Sequence, residues 1–298
     1  MEMDFEILCE LSDDEIESFR DFYKNLNSRE FVYVHLYLKT QFLWNKKIAK
    51  MSDVDEMVIS DRCKAKFYRH IRGREENKTL IGITQEKDYT IFVMTLDESL
   101  VELRDCLMET KLINWMMLPL FVAVHRRFNK LMYEIFESKN LRVRVDNYCS
   151  TIWMDKTKAA SYQFTTPNNV EMRNLSVNDG KMINDVWPYR YFESEKFIRS
   201  LIHLNCGLGI YEDGKLVSWI LQIECFGLGL LQTLENHQGK GYAKLLTRAM
   251  SKKIAVDDVE DVILFASYGK PKTVDLYIRL GFQHASFTHW MYLKQNDH

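Results

Sequence analysis

Between Leu230 and Met250 the chain reads LLQTLENHQGKGYAKLLTRAM, and no other stretch limits the fold so strongly. An apolar run ends at Leu234, and turn residues with two glycines follow. Tyr242, Leu245, Leu246, Ala249 and Met250 then recur at the i, i+3, i+4, i+7, i+8 spacing of a helix packed by one face. The succession predicts a strand over Leu228–Leu234, the loop Gln238-Gly239-Lys240-Gly241, and a helix over Tyr242–Ala255 on the same sheet. Such a loop is an anion site, because glycine lets the backbone approach an oxyanion and the first-turn N–H groups stabilise negative charge. The alternative is a tight turn with a solvated lysine, since a lone Gly-Lys-Gly is a weak motif.

The rest of the chain alternates strands and helices. In the first half, Thr79–Thr95 reads as a strand pair turning at Gln85–Asp88, and Glu98–Met108 as a helix. Phe121–Val124 reads as a strand, Arg126–Ser138 as a helix and Leu141–Trp153 as a further strand. In the second half, Leu208–Tyr211 and Leu216–Ile223 flank the turn Glu212-Asp213-Gly214. Val262–Ala266 is a strand, Thr273–Leu280 a helix and His289–Leu293 a closing strand. The polar stretch Lys156–Asn169 marks the best boundary, giving domains over 1–160 and 168–298. Both halves open alike: Leu11-Ser12 and Leu175-Ser176 each stand between a short apolar segment and an acidic amphipathic helix, with the serines as caps.

With 298 residues, 46% of them hydrophobic, the chain can bury a large core and is not disordered. Forty basic against 42 acidic residues argue against a nucleic-acid partner. The runs Arg62–Arg74 and His125–Lys130 therefore read as wet helix faces with Phe67, Ile71, Phe128 and Met132 inward, a nucleic-acid or partner surface being the other reading. The six cysteines lack paired spacing and read as buried, reduced thiols; neither they nor the histidines suggest a metal site. Met1–Asp14 is acidic and resembles neither a signal nor a transit peptide, and Leu112–Val124 is too short to span a bilayer. A soluble, cytoplasmic protein without a membrane partner is expected, with a mitochondrial location still open.

Gln238-x-x-Gly241-x-Ala243 fits the Q/R-x-x-G-x-G/A pyrophosphate loop of the GCN5-related N-acetyltransferase (GNAT) superfamily, and Leu276–Phe282, LYIRLGF, is similar to its closing motif. Within that superfamily the chain most resembles the glycine N-acyltransferase-like proteins, including the FR47-like domain. Val217-Ser218-Trp219, Thr233-Leu234, His289-Trp290, Asn184-x-x-Trp187 and Phe197-Ile198-x-x-x-Ile202 carry the resemblance. It covers Val170–Leu293, and the first half only in layout. It implies an α/β fold with a mixed sheet: a GNAT fold in the C-terminal half, preceded by a degenerate GNAT-like half or a different α/β lid.

The resemblance also implies a chemistry. An amine of a small molecule, such as glycine or another amino acid, would attack the thioester of acyl-CoA or acetyl-CoA directly in a ternary complex. The pyrophosphate would rest on Gln238, Gly239, Lys240, Gly241, Tyr242 and Ala243, with the pantetheine arm along Leu231, Gln232 and Thr233. A bulge would splay that strand from Val262–Ala266 to admit the thioester. Tyr277 stands where the superfamily often keeps a tyrosine that protonates the departing thiolate; a core tyrosine is the equally open alternative.

Two departures stand out. The usual general base, eleven residues before Gln238, is replaced by Gly227, which takes no proton. Glu224, Glu235 and His237 are the substitutes at hand, Glu235 and His237 reading otherwise as solvated loop residues. The same departure leaves open a CoA-binding protein without turnover, beside an acetyltransferase for another amine. Lys270 stands where many relatives carry Asn; with Lys272 it either meets the 3′-phosphate of CoA or solubilises a helix entrance.

Overall fold

The computed structural model describes residues 5–26 and 28–296. The acidic leader stretch and the outer ends of both expected domains thus run, at residues 1–4 and 297–298, outside the described residues. Twelve strands are described: β1 (Leu8–Glu10), β2 (Lys66–His70), β3 (Leu80–Ile83), β4 (Thr90–Met94), β5 (Leu120–His125), β6 (Leu141–Met154), β7 (Glu171–Asn174), β8 (Gly207–Glu212), β9 (Lys215–Ile223), β10 (Gly227–Thr233), β11 (Val262–Ser267) and β12 (Gln283–Gln295). The helices are α1 (Asp13–Asn25), α2 (Val32–Ile48), α3 (Asp53–Met57), α4 (Val101–Glu109), α5 (Asn129–Ser138), α6 (Lys156–Ala160), α7 (Asp179–Val186), α8 (Ser194–Leu204), α9 (Tyr242–Lys253) and α10 (Pro271–Arg279). Leaving aside the single-turn helices α3 and α6, each half repeats one succession: strand, two helices, three strands, helix, strand, helix, strand.

The strands form one mixed sheet in the order β1-β2-β3-β4-β5-β12-β6-β11-β10-β9-β8-β7. Only β4–β5 and β10–β11 are parallel pairs. The order shows an exchange: β12 pairs with β5 of the first half (Thr288↔His125), and β6 pairs with β11 of the second (Val262↔Met154). Each half therefore closes its sheet with the other's last strand, and one hydrophobic core runs through both.

Local sequence explains the elements that bear on function. Ser12 caps α1 in a reciprocal box with Glu15, two orphan helix donors being satisfied at once. Ser176 does not cap α7 in the same way. It accepts from Asn178 N–H while Asp179 accepts from Ser176 N–H, and the helix begins only at Asp179. Helix α2 is apolar almost all round and correspondingly buried, with Tyr33, Val34, Leu36 and Leu38 inaccessible. It lies across the join of the halves, Tyr33 standing edge-on to both Phe92 of β4 and Phe265 of β11.

The basic run Arg62–Arg74 is not a helix. A 3-10 turn, Asp61–Cys63, leads into β2, because alternation places Phe67 inward while Ile71 is 37% exposed. Phe128 and Met132 are buried as expected. All six cysteines are free, but Cys9, on the outermost strand β1, and Cys206, just before β8, are only half-buried. No helix among the described residues is long and apolar enough to cross a membrane.

Candidate active site

Strand β10 is paired with β9 from Gly227↔Ile223 to Gly229↔Leu221; the register then shifts and resumes at Gln232↔Trp219. Leu230 sits in the shift with φ +49°, so the bulge is made without a glycine at its turning point. On the other side β10 meets β11 only at Leu228↔Leu264. Among the described residues Leu230 and Leu231 thus have no ladder partner on either neighbour. Gly229 is required here, because a β-carbon would collide with Ile223.

The parting of β10 and β11 opens a cleft of about 430 Å³. Leu228–Gln232 and Leu264–Ser267 form its two lips, and Tyr277 of α10 lies in its wall. In the first half the corresponding strands stay zipped over three pairs, Thr90↔Leu120 to Phe92↔Val122. The same succession of elements is open in one half and closed in the other.

Beyond β10, Glu235–His237 form a 3-10 turn, and Gly239 and Gly241 take φ +78° and +85°. Gly241 is the N-cap of α9, and among the described residues no side chain caps its first-turn N–H groups. Lys240 does not point freely at this site. Its Nζ meets both oxygens of Glu212 at 2.9 and 3.0 Å, His237 Nδ1 lies 3.0 Å from the same carboxylate, and the Tyr242 hydroxyl donates to it. The Tyr242 hydroxyl first, then Lys240, hold the Glu212 carboxyl near 2, well below the usual range. Gln238 Nε2 donates to Thr233 C=O, tying the loop to the strand. Beside Gly241 a hollow of about 540 Å³ is bordered by Gln163–Thr165, Pro167 and the basic stripe Lys240, Lys244 and Arg248. Lys270, by contrast, lies in the β10–β11 cleft with Nζ 4.9 Å over the Tyr189 ring.

The three expected catalytic side chains separate. Tyr277 is 5% exposed yet borders the cleft, and its hydroxyl has no hydrogen-bond partner among the described residues. Burial pushes its pKa up, so the phenol keeps its proton at neutral pH. Glu224 closes the end of the cleft beside Leu228, on the turn between β9 and β10. Glu235 lies on the exposed 3-10 turn and does not line the cleft, and His237 Nδ1 lies against Glu212.

Sequence reasoning passed over what surrounds Glu224. Arg62, from the run read as a solvated face, is 7% exposed and donates through Nε (2.9 Å) to Glu224 Oε1, with Nη2 2.8 Å from the same oxygen. Burial alone would depress the guanidinium, but Glu224 first, together with Tyr191, Asp88 and Tyr292, outweighs this and raises it. Trp187, Tyr189, Phe197, Trp290 and Tyr292 complete an aromatic chamber. Trp187, Phe197 and Trp290 carry part of the family resemblance in the sequence, but their meeting around Arg62 depends on the strand exchange, which no local pattern encodes.

Comparison with known proteins agrees with this geometry. Residues 207–291 match the family model described as FR47-like protein, and residues 7–135 match a domain of unknown function (DUF5645). No curated protein matches the sequence. A Drosophila protein of known structure is 25% identical over 98% of this chain and all of its own, with a TM-score of 0.90. The tandem GNAT protein from the clavulanic acid biosynthesis pathway is 9% identical, with coverage of 97% and 98% and a TM-score of 0.55. A GCN5-related N-acetyltransferase from Kribbella flavida is 12% identical over 74% of this chain and 89% of its own, with a TM-score of 0.50. The C-terminal half carries a GNAT fold, and a GNAT-like half precedes it.

Proposed function

We propose that the protein is an acyl-CoA-dependent N-acyltransferase that acylates a small amine, with glycine or a related amino acid as acceptor. The observation that carries this reading is the cleft between β10 and β11, continuous in sequence with an uncapped, glycine-led helix N-terminus. A thioester fits between the strands, its pantetheine arm runs along Leu231, Gln232 and Thr233 where β10 parts from β11, and its pyrophosphate lies on the loop from Gln238 to Ala243. Lys244 and Arg248 beside the loop suit the 3′-phosphate end better than Lys270 does, because Lys270 belongs to the cleft. Residues 168–298 form the acyl-CoA domain in this reading, with 1–160 as its companion.

The chemistry follows from the chain's own groups. The amine nitrogen bonds to the thioester carbon while negative charge gathers on the carbonyl oxygen, where a β10 N–H stabilises it. The amine proton passes to Glu224, whose Oε2 makes no hydrogen bond among the described residues. The carbon–sulfur bond then breaks, and Tyr277 gives its proton to the leaving thiolate.

One observation favours a second reading, binding of acyl-CoA without turnover. Gly227 takes the place of the usual base, and a β-carbon there stands 3.3 Å from both Ile223 Cγ1 and Ile263 O, so the site has little room for a longer side chain. Thiol release decides between them, measured with acetyl-, short-chain, benzoyl- and long-chain acyl-CoA, with and without glycine and other amines. Amine-dependent release supports the transferase; a folded protein that binds CoA but releases no thiol supports the binding role.

A further inference from the structure

The turn that carries Glu224 is gripped by the opposite half of the molecule. Cys225 and Phe226, which follow it directly, both take left-handed backbone conformations, φ +94° and +49°, although neither is glycine. Strain of this kind persists where the surroundings over-determine it. Here the surroundings come from the first half. Thr40 Oγ1 of α2 accepts from both Cys225 N–H (3.2 Å) and Phe226 N–H (3.1 Å), and Thr40 itself is buried. Arg62 holds the carboxylate of Glu224 from the same side.

Arg62 is held in turn. Its guanidinium lies 4.5 Å over the Phe197 ring of α8 and 5.6 Å from the Trp290 ring of β12. Asp88 faces the same cluster and accepts from Ser60 (2.9 Å) and the Tyr191 hydroxyl (2.7 Å). A buried ion pair with this much support is an expensive way to join two halves, since apolar residues of similar volume do that at no desolvation cost. The arrangement fixes Oε1 of Glu224, while Oε2 makes no hydrogen bond among the described residues.

We infer that Arg62 is a positioning residue: supplied by the first half, it holds Glu224 at the acceptor end of the cleft, so that the two halves form one catalytic centre. The inference rests on the transferase reading given above. It gives the first half a task in the reaction rather than a role as a lid alone. Thr40 contributes by fixing the backbone on which Glu224 stands.

The test uses the full chain and its R62A and T40V variants, each assayed for amine-dependent thiol release and for acyl-CoA binding. R62A should bind acyl-CoA with unchanged affinity, while kcat falls by about 100-fold or more, the range of lost proton-transfer catalysis. Low-millimolar guanidinium should restore part of the R62A rate, should leave wild type unaffected, and should not restore T40V, whose defect lies in the backbone. Recovery by guanidinium also shows that R62A is folded. Undiminished kcat in R62A with an active wild type would overturn the positioning role while leaving the transferase intact, and so would a lost rate that guanidinium does not restore in a protein that still binds acyl-CoA. A wild type that releases no thiol with any donor and amine would overturn the transferase reading, and the inference with it.

Discussion

Leu100 and Gly241 occupy the same place in the two halves. Each is the N-cap of the helix that follows the fourth strand of its half, α4 or α9, and each is left-handed, with φ, ψ of 60°, 9° and 85°, 5°. What lies in front of them differs. Before α9 the loop is glycine-rich and no side chain caps the helix. Before α4, Asp97 Oδ1 accepts from Ser99 N–H (3.0 Å) and Oδ2 from Glu102 N–H (3.1 Å), placing a carboxylate where the second half leaves room for a phosphate. Together with the zipped β4–β5 pair, this fills in the first half what the second half leaves open.

Gly241→Val separates the loop's conformation from its space. A β-carbon at Gly241 meets nothing within 4 Å, so the fold tolerates it, but the left-handed φ does not suit a β-branched residue. The cost of about 1–2 kcal/mol should weaken acyl-CoA binding roughly 5- to 30-fold as the N–H array turns away. Calorimetric titration reads this directly, and undiminished affinity would remove the loop from the phosphate site.

Asp97→Ala tests the plugged half. Loss of a capping carboxylate should lower unfolding stability by about 1 kcal/mol. Acyl-CoA should still bind at one site per chain, because β4 and β5 stay paired. Denaturant unfolding and binding stoichiometry together check this; a second site appearing in the variant would mean that Asp97 alone keeps the first half closed.

Tyr277→Phe removes a proton and almost nothing else. The ring packs edge-on to Phe282 at 5.7 Å and the hydroxyl has no partner among the described residues, so stability should change little. The kcat should drop by about 100-fold or more, with the affinity for acyl-CoA unchanged. Acyl thioesters of a more acidic thiol should lose less, since their thiolate leaves without help. Equal losses for both donors would place the hydroxyl outside the proton step.

The parts of this molecule visible in its sequence are those set by neighbours along the chain. Periodicity located β10, the glycine loop and α9 to within a residue or two, and the glycines carry their φ signature in the sequence. Lys240 was legible as a loop residue, but its partner Glu212 lies 28 positions away across a hairpin. Arg62 and Glu224 are 162 positions apart, and the exchange of β6 and β12 that builds their chamber is a choice between two pairings of equal local propensity. The basic run misled because charge near aromatics is the same signal whether the arginine is solvated or buried against a carboxylate.

Acid should loosen the joint between the halves in two steps. His125, on β5 beside the exchanged β12, is lowered to about 4, chiefly by burial, although Glu30 pulls the other way. The unfolded chain protonates this histidine from about 6.5 downward, so stability falls as pH drops from there to about 4. Glu260 precedes β11 and meets Lys39 Nζ of α2 at 2.7 Å, Lys24 Nζ of α1 at 3.4 Å and His35 Nε2 of α2 at 3.6 Å. Burial would raise its carboxyl, but His35 and Lys39 outweigh it and bring it to about 2 from 4.5. Its folded value is depressed, so its contribution is present above 4.5 and is lost as pH falls toward 2, on the order of 3 kcal/mol in total. Melting temperature against pH in wild type, H125N and E260Q resolves the steps. E260Q should start less stable at neutral pH and lose the slope below 4.5, while H125N should flatten the curve between 6.5 and 4. If E260Q keeps the wild-type slope below 4.5, the tie from Glu260 to α2 is not what acid breaks.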